Sequence, residues 1–165
     1  MPAPEPNQII PKRLLYICTH NRCRSIIAEA VTNKLAGGRI QAASAGSQAS
    51  GEVHPLTFQY LQEKGFSCDG LRSQSWDDFA HFQPNVILTM CDQAATETCP
   101  IGFGNTPSVH WGLPDPSRSR GDTERSRAAF YATIDELTNR VNKLLSLNLD
   151  TASDQQLVQA LLSLA

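Results

Sequence analysis

Apolar residues along this chain fall into two patterns that alternate. Continuous runs, "RLLYIC" over 13–18 and "NVILTM" over 85–90, read as strands buried on both faces, as strands of a covered parallel sheet must be. After the first run the apolar positions space out: Ile26, Ile27, Ala30, Val31 and Leu35 recur at helical intervals over 25–35, and Gly37 and Gly38 supply the stop. "RIQAASAG" over 39–46 predicts a second strand closed by Gly46, and "HPLTFQYLQEKG" a helix with Pro55 in its first turn and Gly65 at its end. "SQSWDDFAHF" predicts a short helix over 73–82, "PSVHW" a short strand over 107–111, "GLPDPSRSRGD" a loop, and the stretch from about 122 to 147 a long helix. Strands alternating with helices predict an α/β fold, three-layered and doubly wound, with a four-stranded parallel sheet flanked by helices. In such sheets ligands bind beyond the carboxyl ends of the strands, and Cys18 and Cys91 both stand at such ends.

The chain ends add less. "MPAPEPNQIIPK", residues 1–12, predicts a mobile lead; residues 13–148 form the candidate catalytic domain; in the tail, 149–165, Ser153 is placed to cap a turn and a half of amphipathic helix carrying Leu157, Val158, Leu161 and Leu162. That tail packs either on its own domain or against another copy. A length of 165 residues suits one ordinary α/β domain. Net charge is −2 with both signs interspersed, so no basic stripe offers itself to nucleic acid. No run approaches the ~18 apolar residues of a membrane span, and the lead lacks a signal-peptide pattern, which predicts a cytoplasmic protein. The five cysteines, at 18, 23, 68, 91 and 99, lack extracellular spacing, so reactive, metal-bound or buried thiols are expected rather than structural bridges.

Between the first strand and first helix lies Cys18-Thr19-His20-Asn21-Arg22-Cys23-Arg24-Ser25. Backbone N–H groups of such a turn point inward, the helix end adds partial positive charge, and the Arg24 guanidinium offers a planar fork of donors: together they make a cradle for a tetrahedral oxyanion, built from residues 19–25. The same field favours the thiolate of Cys18, whose free-thiol pKa is about 8.5, and Ser25 is placed to hydrogen-bond the sulfur. A thiolate facing a bound oxyanion is a nucleophile. Cys-x5-Arg also arises by chance, but its place between a strand and a helix is what the chemistry needs.

On these residues the chain resembles the low-molecular-weight tyrosine phosphatase family, whose signature is Cys-x5-Arg-Ser/Thr after the first strand; the resemblance runs from about Arg13 to Leu147. It implies that Cys18 is the nucleophile, that Asn21 orders the loop, and that Asp115 of "LPDPS" is the general acid, although an Asp-Pro pair alone is common loop chemistry. Ser117 stands where those phosphatases place a tyrosine, and no aromatic wall is apparent, which points to a smaller substrate.

Cys91 and Cys99 admit other readings: a buried thiol with an incidental neighbour, or half of a zinc site, though neither a Cys-x2–4-Cys nor a histidine pair accompanies them. "LTMC", the following "CP" and "HWGLPDP" resemble the arsenate reductase branch of the family. That resemblance implies a relay in which Cys18 attacks arsenic, Cys91 attacks Cys18 to release arsenite, and Cys99 closes a disulfide with Cys91. Eight residues of α-helix rise ~12 Å, whereas a disulfide needs Cα atoms within about 4.4–6.8 Å, so a helix over 91–99 would have to unwind. No tightly bound cofactor is implied; reducing equivalents would come from thioredoxin, or from glutaredoxin with a low-molecular-weight thiol if Cys99 is a bystander, and phosphate and sulfate would compete with arsenate. The branch also implies a potassium site at Asn21, Glu29 and Ser44, with Trp76 where a further carboxylate is expected. Rival expectations are a phosphatase for phosphotyrosine or small phosphoesters, and a non-catalytic oxyanion-binding module. Cys23 packs in the loop or oxidises with Cys18 under stress; Cys68 reads as incidental, His20 as an exposed loop residue, His54 and His110 as structural.

Overall fold

The computed structural model describes residues 10–91, 94, 103–118 and 121–165. Strands β1 (Lys12–Cys18), β2 (Ile40–Gly46), β3 (Val86–Thr89) and β4 (Ser108–His110) form a sheet of order β2-β1-β3-β4. Every pairing is parallel, with Tyr16 opposite both Ser44 and Leu88, and Leu88 opposite Val109. The two central runs are the ones with continuous apolar sequence: residues 14–17 and 86–88 are at most 1% exposed. Edge strand β4 instead alternates, with Val109 buried between exposed Ser108 and His110. The chain leaves β1 toward β2 and returns to β3 on the other side, so the carboxyl ends of β1 and β3 border the crevice of a topological switch point.

Helices flank the sheet: α1 (Arg24–Ala36), α2 (Pro55–Glu63), α3 (Thr123–Leu145) and α4 (Asp154–Leu164), with a 3-10 helix over Trp76–Phe82 where a short helix was expected. The apolar stripe of α1 is wider than the sequence suggests. Ser25, Ala28 and Thr32 are buried alongside Ile26, Ile27, Ala30 and Val31, because α1 meets the sheet, α2 and α3 at once; the Thr32 hydroxyl pairs with the buried Tyr16 phenol at 2.8 Å. α3 presents Phe130, Ile134, Leu137, Val141 and Leu144, a regular helical stripe, and Asp122 caps it by accepting from Arg125 N–H at 3.0 Å.

The tail corrects an expectation. It forms 11 residues of helix, about three turns rather than one and a half. Ser153 and Gln156 form a reciprocal capping box, Leu157 and Leu161 are at most 1% exposed, and the Trp111 indole donates to Leu161 O at 2.8 Å, satisfying a carbonyl of the last turn. α4 thereby packs on its own domain, against β3, β4 and α3. No helix of the described residues is long and apolar enough to cross a membrane.

Candidate active site

β1 ends at Cys18 and α1 begins at Arg24, and the turn between them is held from outside through its carbonyls. Thr19 O accepts from Gln48 N–H at 2.8 Å, His20 O from Ser50 N–H at 3.1 Å, Arg22 O from His54 N–H at 3.2 Å, and Cys23 O from Ile27 N–H at 2.9 Å. With the carbonyls turned to the protein, the loop's N–H groups are left for its concave side, forming an anion nest at a helix N-terminus. Asn21 makes the sharpest bend, at φ +50°, a left-handed conformation that asparagine tolerates. Its amide oxygen accepts from Gln74 N–H at 2.8 Å and its amide nitrogen donates to Ser25 Oγ at 2.8 Å. Because Ser25 Oγ accepts there, its own O–H is left for Cys18 Sγ, 2.9 Å away. Asn21 and Ser25 are fully buried, so of the seven residues expected to cradle an oxyanion these two stand behind the loop and shape it; Thr19, His20, Arg22, Cys23 and Arg24 line the cavity.

That cavity is small, about 60 Å³, with Cys18 and the loop on one side and Asp115 and Ser117 on the other. Its lining of donors around one thiol suits a small anion. It adjoins a wider cavity of about 800 Å³ bordered by Thr19, Arg24, Cys91, His110, Asp115 and Arg118. No Phe, Tyr or Trp lines either one among the described residues. Arg24 reaches across, Nη1 donating to Leu113 O at 2.9 Å, so one guanidinium ties the cradle to the acid loop. Asp115 Oδ1 accepts from the Ser117 hydroxyl at 2.7 Å and the Ser117 N–H at 2.9 Å. Burial pushes the Asp115 carboxyl up, but these bonds, with Arg24 and Arg118, outweigh it and hold it below the ordinary aspartate range.

Cys91 is 7% exposed just beyond β3, and the Thr19 hydroxyl lies 3.4 Å from its sulfur. The structure thus brings Cys18, Arg24, Asp115 and Cys91 to one crevice. Cys99 lies outside the described residues. Cys23 is a different kind of thiol: burial, more than Thr57 or Arg22 can offset, pushes it up to about 11, so it packs as a neutral side chain. Cys68 is half-buried and donates to Phe58 O at 3.7 Å. His20 is exposed, its Nδ1 3.2 Å from Gln48 O, and His54 caps α2 by accepting from Leu56 N–H at 3.1 Å.

At the positions matched to a potassium site, the side chains bond to protein partners. Ser44 donates to Glu29 Oε1 at 2.7 Å, the Asn21 oxygen already accepts the Gln74 N–H, and Trp76 brings no carboxylate. Glu29 has no opposing charge to offset its burial, which pushes its carboxyl up to about 7 against the Ser44 hydrogen bond. Among the described residues no group of three or more His, Cys, Asp or Glu is placed to hold a metal.

Two supports of the site escaped the sequence. A Cβ at Gly46 would stand 2.7 Å from Thr19 O and 3.1 Å from Asn21 Cβ, so only glycine lets β2 end against the loop. The Leu113 carbonyl, which anchors Arg24, carries no side-chain signal. Gly46 was visible only as the end of a strand; the close approach behind it is tertiary.

Residues 13–157 match the family described as low molecular weight phosphotyrosine protein phosphatase. An arsenate reductase of Halalkalibacterium halodurans is 32% identical over 130 residues, 79% of this chain and 92% of that protein. Two solved structures are similar. An arsenate reductase in the phosphate binding state superposes with TM-score 0.67 at 25% identity, covering 82% of this chain and 97% of that one. A thioredoxin-dependent arsenate reductase of Corynebacterium glutamicum gives TM-score 0.62 at 26% identity, covering 82% of this chain and 61% of that one.

Proposed function

The chain belongs to the low-molecular-weight phosphotyrosine protein phosphatase family, and on that premise we infer that it is an arsenate reductase. Two sulfurs carry this reading: Cys18 in a small cavity lined by the cradle and Asp115, and Cys91 at the end of the neighbouring strand, in contact with the cradle residue Thr19 at 3.4 Å. Arsenate matches phosphate in shape and charge, so the nest and Arg24 bind it as they would phosphate. Cys18 attacks arsenic while Asp115 protonates the departing oxygen, giving a sulfur–arsenic(V) adduct and water. Cys91 then attacks Cys18 Sγ. The sulfur–arsenic pair stays on arsenic, which becomes As(III) and leaves as arsenite, and a Cys18–Cys91 disulfide forms. Cys99 exchanges into it, freeing Cys18 and leaving Cys91–Cys99 for thioredoxin in the reducing cytoplasm; glutaredoxin with a small thiol would serve if Cys99 stood aside.

A phosphatase would use the same first step, since Cys18, Arg24 and Asp115 are complete for it. The absence of an aromatic wall among the described residues disfavours phosphotyrosine, and a hydrolase has no use for Cys91. Thioredoxin-linked NADPH oxidation separates the readings: it proceeds with arsenate, not with phosphate, and stops in Cys18→Ser and Arg24→Ala. Turnover of phosphoesters with no arsenate-dependent NADPH oxidation would instead establish the phosphatase, and binding of arsenate with neither would leave an oxyanion-binding module.

A further inference from the structure

The tail helix reaches the acid loop through one indole. Residues 13–157 match the family, so about the last two turns of α4, Leu161 among them, lie beyond the match. α4 is fastened at both ends. At its start Lys12 Nζ donates to Ala152 O at 2.7 Å and Asn85 Nδ2 to Asp154 Oδ1 at 3.0 Å, while Asn85 Oδ1 accepts from Arg13 N–H at 2.7 Å. At its end the Trp111 indole, a donor only, reaches Leu161 O at 2.8 Å. The indole is fully buried, with the Tyr16 ring 6.3 Å away and the Arg140 guanidinium 5.4 Å from its centroid; packed that closely, it moves with the helix it bonds. Ala165, just past the last turn, borders the wider cavity together with Asp115 and Cys91. From Trp111 the chain runs directly to the acid. The Trp111 backbone N–H donates to Thr89 O at 2.8 Å and the Leu113 N–H to Met90 O at 3.2 Å, so Gly112, the flexible residue of the stretch, is bracketed by bonds to the end of β3. Leu113 O then accepts from Arg24 Nη1 at 2.9 Å, and Asp115 follows between Pro114 and Pro116. Each proline fixes its own φ and restricts the residue before it, which leaves 113–116 few torsions to absorb a displacement.

We propose that α4 positions the general acid: the Trp111–Leu161 bond holds the stretch from Trp111 to Asp115 against β3 and sets where the carboxyl stands relative to Cys18. The proposal rests on the reading above only in its first step, where Asp115 protonates the departing oxygen, a step that a phosphatase would share. Trp111 and Leu161 line neither cavity, so they are positioning residues that act through the place of Asp115. A misplacement of about 1 Å, caused far from the chemistry, can cost about 10²-fold in rate. A helix turn outside the family match thus fixes the distance between acid and nucleophile.

Three variants of the full chain test it. Trp111→Phe removes the donor and keeps an aromatic ring, Leu161→Ala loosens the accepting turn and leaves Trp111 in place, and Leu144→Ala, the control, removes buried core at the end of α3 remote in sequence from the acid loop. In single-turnover rapid quench with arsenate, Trp111→Phe is expected to slow the first step roughly 10–10²-fold, and Leu161→Ala to slow it less. Phosphate affinity by calorimetry should be nearly kept, because Arg24 retains its charge. Amide exchange at Trp111 and Leu113 should quicken in both variants. Placed in an Asp115→Asn background, Trp111→Phe should cost nothing further, since no proton is left to position; a merely structural role would slow both backgrounds alike. Should Trp111→Phe not fold, Leu161→Ala carries the same readouts. A wild-type first step in the folded variants, equal slowing in Leu144→Ala, or an undiminished effect in the Asp115→Asn background overturns the proposal while the reductase reading stands. Failure of wild type to reduce arsenate overturns the reductase reading instead, and the same variants are then read on p-nitrophenyl phosphate, whose leaving oxygen would take its proton from the same Asp115. Turnover of neither compound overturns both.

Discussion

Asp115 is an acid held in its ionised form by its own loop. Burial raises its pKa, the Ser117 hydrogen bonds and the charges of Arg24 and Arg118 lower it further than burial raises it, and the net shift is downward. On the reductase reading, the proton it delivers would arrive with the substrate: an incoming oxyanion would engage Arg24 and bring negative charge, both of which raise the carboxyl again. Asp115→Asn should slow the first chemical step by roughly 10²–10⁴-fold with oxyanion affinity nearly kept, measured by single-turnover rapid quench. Ser117→Ala removes the hydroxyl bond that favours the carboxylate and leaves the backbone N–H bond, so Asp115 stays protonated to higher pH, and the fall of the single-turnover rate with rising pH should move upward; an unmoved profile would show that the Ser117 hydroxyl does not set this acid. Gly46→Ala tests the back of the cradle. Its new Cβ meets the backbone oxygen of Thr19 at 2.7 Å, which cannot swing aside as a side chain could. Overpacking of this kind costs about 1–3 kcal/mol, readable by urea unfolding, and phosphate affinity by calorimetry should fall with it.

Between residue and fold stands the 91–99 segment. A Cys91–Cys99 bridge needs Cα atoms within about 4.4–6.8 Å, so a bridged 91–99 stretch has to double back on itself and can be neither helical nor extended throughout. Cys99→Ser should complete one turnover and stop, with peptide mapping of the alkylated product showing Cys18 joined to Cys91, whereas wild type shows Cys91 joined to Cys99 and Cys18 free. Repeated turnover of Cys99→Ser with thioredoxin at the wild-type rate would remove the internal relay. Much of the fold at this scale was legible in the sequence, because a parallel sheet covered on both faces leaves continuous runs such as "VILT" and a helix leaves spaced ones. The Cys18 loop was equally legible, since its chemistry is local: thiol, turn and helix start are consecutive. What lay hidden depends on elements far apart in the chain. Gly46 matters through Thr19, Arg24 is anchored on a carbonyl 89 residues away, and the last turn of α4 is held by the Trp111 indole donating to the Leu161 carbonyl. Propensity alone saw a short amphipathic tail.

For the molecule as a whole, Glu29 links acidity to folding. Burial, partly offset by Ser44, raises its carboxyl from 4.5 to about 7, so the folded state holds a proton that the unfolded chain has released. Stability is therefore lost as pH rises from about 4.5 through about 7, by a total on the order of 3 kcal/mol at ~1.4 kcal/mol per tenfold change in proton affinity. Glu29→Gln should flatten the difference in urea-unfolding free energy between pH 5 and pH 8. KCl and NaCl should act alike on wild type at pH 8; a stabilisation specific to potassium would mean that a cation does neutralise Glu29. A second consequence reaches beyond the molecule to the cell that holds it. The cradle, as its described residues line it, offers a tetrahedral anion charge and hydrogen-bond donors that phosphate and arsenate would use alike. On the reductase reading, selection happens after binding, by whether the bound atom accepts electrons. Phosphate at about a hundred times its dissociation constant leaves about one site in a hundred open. The rate at which a cell clears arsenate would then be governed less by how much of this protein it makes than by its phosphate supply, rising in phosphate famine and falling in plenty.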